Sequence, residues 1–464
     1  MKKLTAAALA CTMAVSLVAC SSAPKETKAP ETTAAPAETK APETTAAPTE
    51  AAKAAVELEV VTTFAGNDQN SQNYKDAYKA WEEKTGNTVV DMSATSDETF
   101  KTRVITDFET NSEPDVLFFF NGADANPFIE AGKVMSIDDI RAEYPEYAGN
   151  MDDGRIAPSL VDGKKYAVPV NGFWEAMFVN TAILEEAGVE MPGPDYTWDA
   201  FKADCQKIKD AGYTPIAAAL GNIPHYWWEF CIFNHTGPEK HLNVPETADD
   251  ELGQAWVDGI NDIKELYELG YFPENTLSAL DEETFNMFME GKAAFLIDGS
   301  WKVGGIVAAC QTDAEDPSTL DAEKLADYDV TYVPGSDVRK ASDLVGGLSM
   351  GYYITKKAWD DPAKREAAVD FVTHMTSDEV VPVFAQHTAS ALKNSPKVDE
   401  SVFNELQVKS MAMMAGCTSL TGAVQDIFNG DCRVSTFDGM GDIVSGDVDA
   451  ADAVAEGLEI YHNQ

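Results

Sequence analysis

From residue 56 onward, short apolar runs rich in β-branched residues alternate with stretches whose apolar residues recur every three or four positions. That alternation constrains the fold more than any other feature. Strands each followed by a helix build layered α/β sheets, not a helical bundle or a β-sandwich. Leu58–Thr63 reads as a strand. Tyr74, Ala77, Tyr78 and Trp81 then share one helical face, with Gly86 as its stop. Thr88–Met92 is a second strand. Val116–Phe120 is continuously apolar, as in a strand covered on both faces. Tyr166–Val170 and Ala176–Val179 read as extended. Thr197 is placed to N-cap a helix carrying Trp198, Phe201, Cys205 and Ile208. Trp256, Ile260, Ile263 and Tyr267 repeat that pattern before Gly270, and Pro362 opens a helix carrying Ala368, Phe371, Val372 and Met375. The pattern predicts mostly parallel sheets. The stretch 56–464 is too long for a single core.

The preceding segment has another character. Met1-Lys2-Lys3 is a short positive start, and Leu4–Leu17 is apolar or small. This reads as a secretory leader, too short to span a bilayer comfortably. It ends Leu17-Val18-Ala19-Cys20, which resembles a bacterial lipobox. The resemblance implies cleavage after residue 19, acylation of the Cys20 thiol and anchoring to a membrane. Residues 21–55 hold no aromatic residue, and Lys28–Pro36 recurs letter for letter as Lys40–Pro48. Such a composition buries too little to offset its ordering entropy, so 20–55 is expected to be the lipidated Cys and a disordered tether. No later stretch reaches ~18 uninterrupted apolar residues, so no transmembrane helix is expected.

Asp and Glu number 78 against 34 Lys and Arg, a formal charge of −44. Nucleic acid is therefore not an expected partner, since phosphate binding needs clustered Lys and Arg. Five Cys lie beyond the tether: Cys205, Cys231, Cys310, Cys417 and Cys432. Cys417 and Cys432 are near enough in sequence to pair, but no spacing suggests a disulfide framework or a zinc site, so buried thiols are expected. Gly347-Leu348-Ser349-Met350-Gly351 satisfies G-x-S-x-G, yet the residues after it read as a strand where a nucleophile elbow needs a helix. No phosphate-binding G-x-x-x-x-G-K-[ST] loop and no H-E-x-x-H occurs. No enzyme, metal or cofactor is expected.

Several blocks stand in an order that resembles the family 1 extracellular solute-binding proteins, the receptors of ABC importers. They include Lys84-Thr85-Gly86, Pro114-Asp115-Val116, and Ala131-Gly132-Lys133-Val134 before Ile137-Asp138. Gly163-Lys164-Lys165-Tyr166-Ala167-Val168-Pro169 follows, then Val179-Asn180 and Thr197-Trp198. Phe288-Met289-Glu290-Gly291-Lys292-Ala293-Ala294, Gly299-Ser300-Trp301, Gly346-Gly347 and Ile443-Val444-Ser445-Gly446 complete the set. The resemblance spans nearly all of 56–464. It implies an α/β, two-lobe periplasmic-binding-protein-like fold with a ligand cleft between the lobes. Lobe one would be 56–170 plus 345–390, and lobe two 171–330 plus 395–464. It also implies a lipid-anchored monomer outside the cytoplasmic membrane, handing its ligand to permease subunits.

A sugar offers apolar C–H faces and a belt of hydroxyls, so its site needs flat aromatics and planar carboxylates or amides. At the family's cleft positions the chain offers Phe64, Asn67 and Asp68 after the first strand, though Asn and Asp are also turn residues. Phe120 and Asn121 follow the Val116 strand, where one of the two terminal Phe should face the core. Trp174 and Glu175 lie near a crossing between lobes. Trp227 and Trp228 belong to the densest aromatic group, which suits a cleft wall or a buried junction equally. Trp301 matches the family's stacking tryptophan, Asp298 stands beside it, and Gly347 completes the set. Trp81, Trp198 and Trp256 fit core stripes. A carbohydrate, foremost an oligosaccharide, is the expected ligand. A polyol or another small organic solute, a secreted carbohydrate-active hydrolase and a structural adhesin remain alternatives.

Overall fold

The computed structural model describes residues 54–66, 68–95, 98–222, 225–313, 317–394, 403–428 and 430–463. The expected leader, Cys20, nearly all of the tether and Asn67 lie outside the described residues.

Ten strands are described: β1 Glu57–Val61, β2 Thr88–Asp91, β3 Val116–Phe120, β4 Phe173–Asn180, β5 Thr214–Ile216, β6 Ala293–Gly299, β7 Tyr328–Thr331, β8 Asp343–Gly347, β9 Met350–Ile354 and β10 Ser419–Thr421. They form two sheets. Sheet one has the order β2-β1-β3-β9, and sheet two β10-β8-β4-β6-β5, with β7 also on β4. In sheet one, β1 runs parallel to β2 and β3, and β9 is antiparallel to β3. Sheet two departs from the mostly parallel expectation. β4 is antiparallel to β6, β7 and β8, and only β10–β8 and β5–β6 are parallel. The alternation of strand and helix predicts layers, but a chain that enters the second layer from the first is free to reverse direction there.

Sheet one explains the apolar run of β3. Val116 and Phe118 point into a core with Val60, Tyr352 and the helices Ser71–Thr85 and Pro362–Met375. Leu117 and Phe119 point the other way, towards Phe100, Val104 and Phe128. Both faces are covered, so nothing in the strand interior needs to be polar. Sheet two has its own larger core, built from Phe178, Phe201, Ile216, Trp256, Phe295 and Leu344 among others. The helix Ser71–Thr85 ends at Gly86, whose φ of 77° only glycine adopts without strain. Thr197 caps Trp198–Asp210 by accepting the Ala200 N–H, and Asp250 caps Glu251–Glu268 through the Leu252 and Gly253 N–H groups. Trp81 and Trp256 are fully buried on their helices, and Trp198 packs against the sheet-two core. Cys205, Cys231 and Cys310 are buried free thiols, and half-buried Cys417 donates its thiol to the Ser419 carbonyl at 2.9 Å. Among the described residues no helix is long and apolar enough to cross a membrane.

The chain passes between the layers beside itself. β8 of sheet two leads through Leu348-Ser349 straight into β9 of sheet one. This strand-to-strand passage is why G-x-S-x-G here forms no nucleophile elbow. Residues 171–172 make the opposite passage into β4. The Gly172 N–H donates to Ala389 O at 2.7 Å, and a Cβ at 172 would stand 2.5 Å from Gly347 O. The two crossings thus run side by side, against Ala389, at a point where a side chain on residue 172 has no room.

Candidate functional site

Where the crossings leave the sheets, a cavity of about 230 Å³ opens between the layers. Sheet one and its loops contribute Asn121, Gly122, Ala157, Pro158 and Leu160. The crossing contributes Gly346, Gly347, Leu348 and Ser349. Sheet two and its loops contribute Phe173, Leu242, Gly422, Ala423, Asp426 and Ile427. Asn121 is tied to the crossing twice: its backbone N–H donates to Ser349 O at 2.8 Å and its side-chain amide to Leu348 O at 2.9 Å. The layers also touch directly. A Cβ on Gly122 would lie 2.5 Å from Asp426 O, and one on Gly304 would lie 2.6 Å from the Cα of Gln69.

Half-buried Phe173 links the cavity to an aromatic group. Its ring centroid lies 6.3 Å from that of Trp301, at an interplanar angle of 35°. Tyr226 lies on the other side of Trp301, at 6.2 Å. Trp301 is half-buried and its ring folds over the Gly299 backbone. Behind it, buried Asp298 accepts the Gly299 N–H at 2.7 Å, is hydrogen-bonded by Tyr226, and pairs with Lys302 at 3.4 Å. Burial raises the Asp298 carboxyl to about 6, against the pull of Lys302. Burial also raises Asp426 to about 7, opposed by Lys101 and abetted by Asp124 and Glu229. Glu175 is pushed well above the usual carboxylate range, first by burial and then by Glu229, Asp426 and Asp298. A carboxyl kept protonated can donate as well as accept, which suits hydroxyl partners. Among the described residues no group of His, Cys, Asp and Glu is arranged to hold a metal ion.

The structure separates the expected site residues. Asn121 and Gly347 line the cavity; Trp301 lies behind Phe173 rather than on the wall, and Asp298 is fully buried. Phe120 is the outward member of the Phe119–Phe120 pair and lies under the Lys101 ammonium, 4.4 Å from its ring centroid. Asp68 makes a local turn: its Oδ1 accepts the Asn70 N–H at 2.7 Å, while burial raises its carboxyl to about 7. Four expectations are corrected. Phe64 packs in the core against Tyr74, Phe118 and Phe384. Trp174 is fully buried and its indole N–H donates to His387 O at 3.1 Å. Side chains alternate along β4, so Trp174 and Glu175 face opposite ways, and Phe173 takes the cleft position. Trp227 packs edge-on against Phe272, and Trp228 between Trp256 and Phe437. Both are sealed in the sheet-two core, because the helix His225–Thr236 is buried nearly all round. Phe173 and Asp426 had no place in the expected set, and Tyr226 entered only as a neighbour of Trp227 in the aromatic group. Strand alternation from Glu175 pointed to Phe173; nothing local pointed to Asp426.

Two sheets, adjacent crossings and a cavity between the layers define a two-lobe architecture. The bacterial extracellular solute-binding protein family matches residues 65–382, and the chain belongs to that family. Its members are binding proteins, not enzymes. Among solved structures, a chitin oligosaccharide binding protein is 20% identical, with a TM-score of 0.73 over 88% of this chain and 98% of that one. The GacH receptor of Streptomyces glaucescens, solved unliganded and with acarbose, is 18% identical with a TM-score of 0.68, covering 89% and 98%. The bacterial solute receptor AcbH, described with an exclusive preference for β-D-galactopyranose, is 17% identical with a TM-score of 0.68, also covering 89% and 98%. These likenesses show the two-lobe periplasmic-binding-protein fold. Proteins of Brucella abortus and Brucella suis that carry a provisional binding-protein name are 26% identical over 180 residues. The match spans 37% of this chain and 40% of theirs.

Proposed function

We propose that this protein is the extracytoplasmic receptor of an ABC importer, capturing a sugar by lobe closure and delivering it to the permease. One observation carries the reading: a cavity walled by both lobes and by the crossing between them. A ligand there touches both lobes at once and so stabilises the closed state over the open one. Phe173, backed by Tyr226 and Trp301, supplies an apolar face for sugar C–H groups, and Asn121 and Asp426 supply partners for hydroxyls. Structural relatives solved or named with chitin oligosaccharide and acarbose support placing an oligosaccharide first.

In this reading residues 1–19 are removed, Cys20 is lipidated, and 20–55 tether the receptor to the outer face of the cytoplasmic membrane. Lobe one comprises 56–170 and 345–390, and lobe two 171–330 and 395–464. The receptor acts as a monomer and leaves its ligand chemically unchanged. The test is melting temperature and tryptophan fluorescence against chito-, xylo- and malto-oligosaccharides, raffinose, galactose and acarbose. A sugar at 100 times its Kd should add about 2.7 kcal/mol of stability. No response to any of them would contradict the reading.

A further inference from the structure

Asp426 and its neighbours form the lobe-two wall of the cavity, yet they lie on a short 3₁₀ turn, Val424–Asp426, with little regular structure beneath it. Two buried side chains hold that turn: Arg433 donates to the Gln425 side-chain oxygen at 3.3 Å, and Glu229 holds the backbone. Glu229, fully buried on the helix His225–Thr236, aims its carboxylate at the start of the turn. Its Oε2 accepts the Val424 N–H at 2.9 Å and its Oε1 the Gln425 N–H at 2.9 Å. His241, also fully buried, brings its Nε2 within 2.9 Å of Glu229 Oε2 and stacks on Phe233 at 4.3 Å. Two consecutive backbone donors on one carboxylate fix both the position and the direction of a turn. That direction brings the Asp426 backbone against Gly122 of lobe one. Three residues earlier on the same helix, Tyr226 touches Trp301. One helix therefore carries both the aromatic support and the anchor of the facing wall.

We propose that Glu229, which does not line the cavity, is a positioning residue: it clamps the 424–426 turn so that Asp426 seats against Gly122 when the lobes close. The part that concerns ligand retention rests on the receptor reading; the part that concerns lobe seating does not.

Hydrogen exchange of the intact protein tests it in Glu229→Gln, which is nearly isosteric but offers one acceptor oxygen and an amide donor. The expected result is faster exchange in 423–428 and also in 119–124, on the other lobe. A role confined to the lobe-two core would leave 119–124 unchanged, and that result would overturn the proposal. Unchanged exchange in 423–428 would overturn it equally. Should Glu229→Gln fail to fold, Glu229→Asp keeps the charge but withdraws the carboxylate from the turn, and the same two segments decide. For whichever sugar of the panel binds, koff should rise about tenfold with kon within about twofold, because the turn that meets lobe one in the closed state is no longer held by its charge-assisted hydrogen bonds. A sugar that dissociates at the wild-type rate from a variant with a loosened turn would overturn the retention role. If wild type binds no sugar of the panel, the receptor reading fails while the exchange pattern still decides the seating.

Discussion

The two lobes meet at the cavity with different chemistry. Lobe one contributes Gly122, Ala157, Pro158, one larger apolar side chain, Leu160, and an Asn121 already bonded to the crossing. Lobe two contributes Phe173, Leu242, Asp426 and Ile427 to the wall, and behind Phe173 stand Trp301, Tyr226 and the fully buried carboxyls of Glu175 and Asp298. Aromatic faces and carboxyls discriminate between ligands, whereas glycine and backbone discriminate chiefly by fit. Under the proposed sugar-receptor reading, recognition falls to the aromatic and carboxyl groups of lobe two and lobe one acts chiefly by fit.

The largest expected effect separates packing from recognition within lobe two. Trp228→Ala, between Trp256 and Phe437, should cost about 3–5 kcal/mol of stability by denaturant titration. The folded fraction should keep its sugar affinity within about twofold. Trp301→Ala should do the reverse, weakening affinity about 100-fold by calorimetry with a smaller loss of stability. If both variants lose affinity alike, the division inside lobe two is wrong. Lobe one is challenged by Gly122→Val, whose added carbons meet Asp426 O. Affinity should fall about tenfold through impeded closure, while the melting temperature without sugar stays nearly unchanged.

The smallest effect is a pH dependence. Asp426 and Asp298 sit at about 7 and about 6, above the ~3.9 of an unfolded Asp. The folded state therefore binds these protons more tightly. Their stability contribution is complete below about pH 4 and is lost as pH rises through 6 and 7. The melting temperature of wild type minus that of Asp426→Asn should accordingly fall between pH 4 and pH 8. A flat difference would mean that the lobe-two carboxyl is not held protonated.

Much of the layering was legible because local periodicity encodes it. The stripe of Tyr74 and Trp81, the Thr197 cap and the apolar β3 each state which face is buried. The direction of β4 was not legible, since strand orientation depends on where the chain enters a sheet. The site was half legible. Trp301 and Asn121 follow strands, where an α/β fold exposes its ends to the cleft. Trp174 was misassigned because a tryptophan beside a carboxylate looks functional, although strand alternation forbids both from facing one way. Phe64 was misassigned because the residue after a strand can still turn inward to a core. The Gly122–Asp426 contact joins residues some three hundred positions apart, and no local pattern records such a pairing.

The central claim is a receptor that binds sugar between its lobes without turnover. Titration calorimetry with the oligosaccharide panel, followed by chromatography of the recovered sugar, tests it most directly. The account predicts one saturable binding event per chain for at least one sugar, abolished or strongly weakened in Trp301→Ala, with the sugar recovered intact. Absence of binding across the panel, or recovery of cleaved sugar, would contradict it.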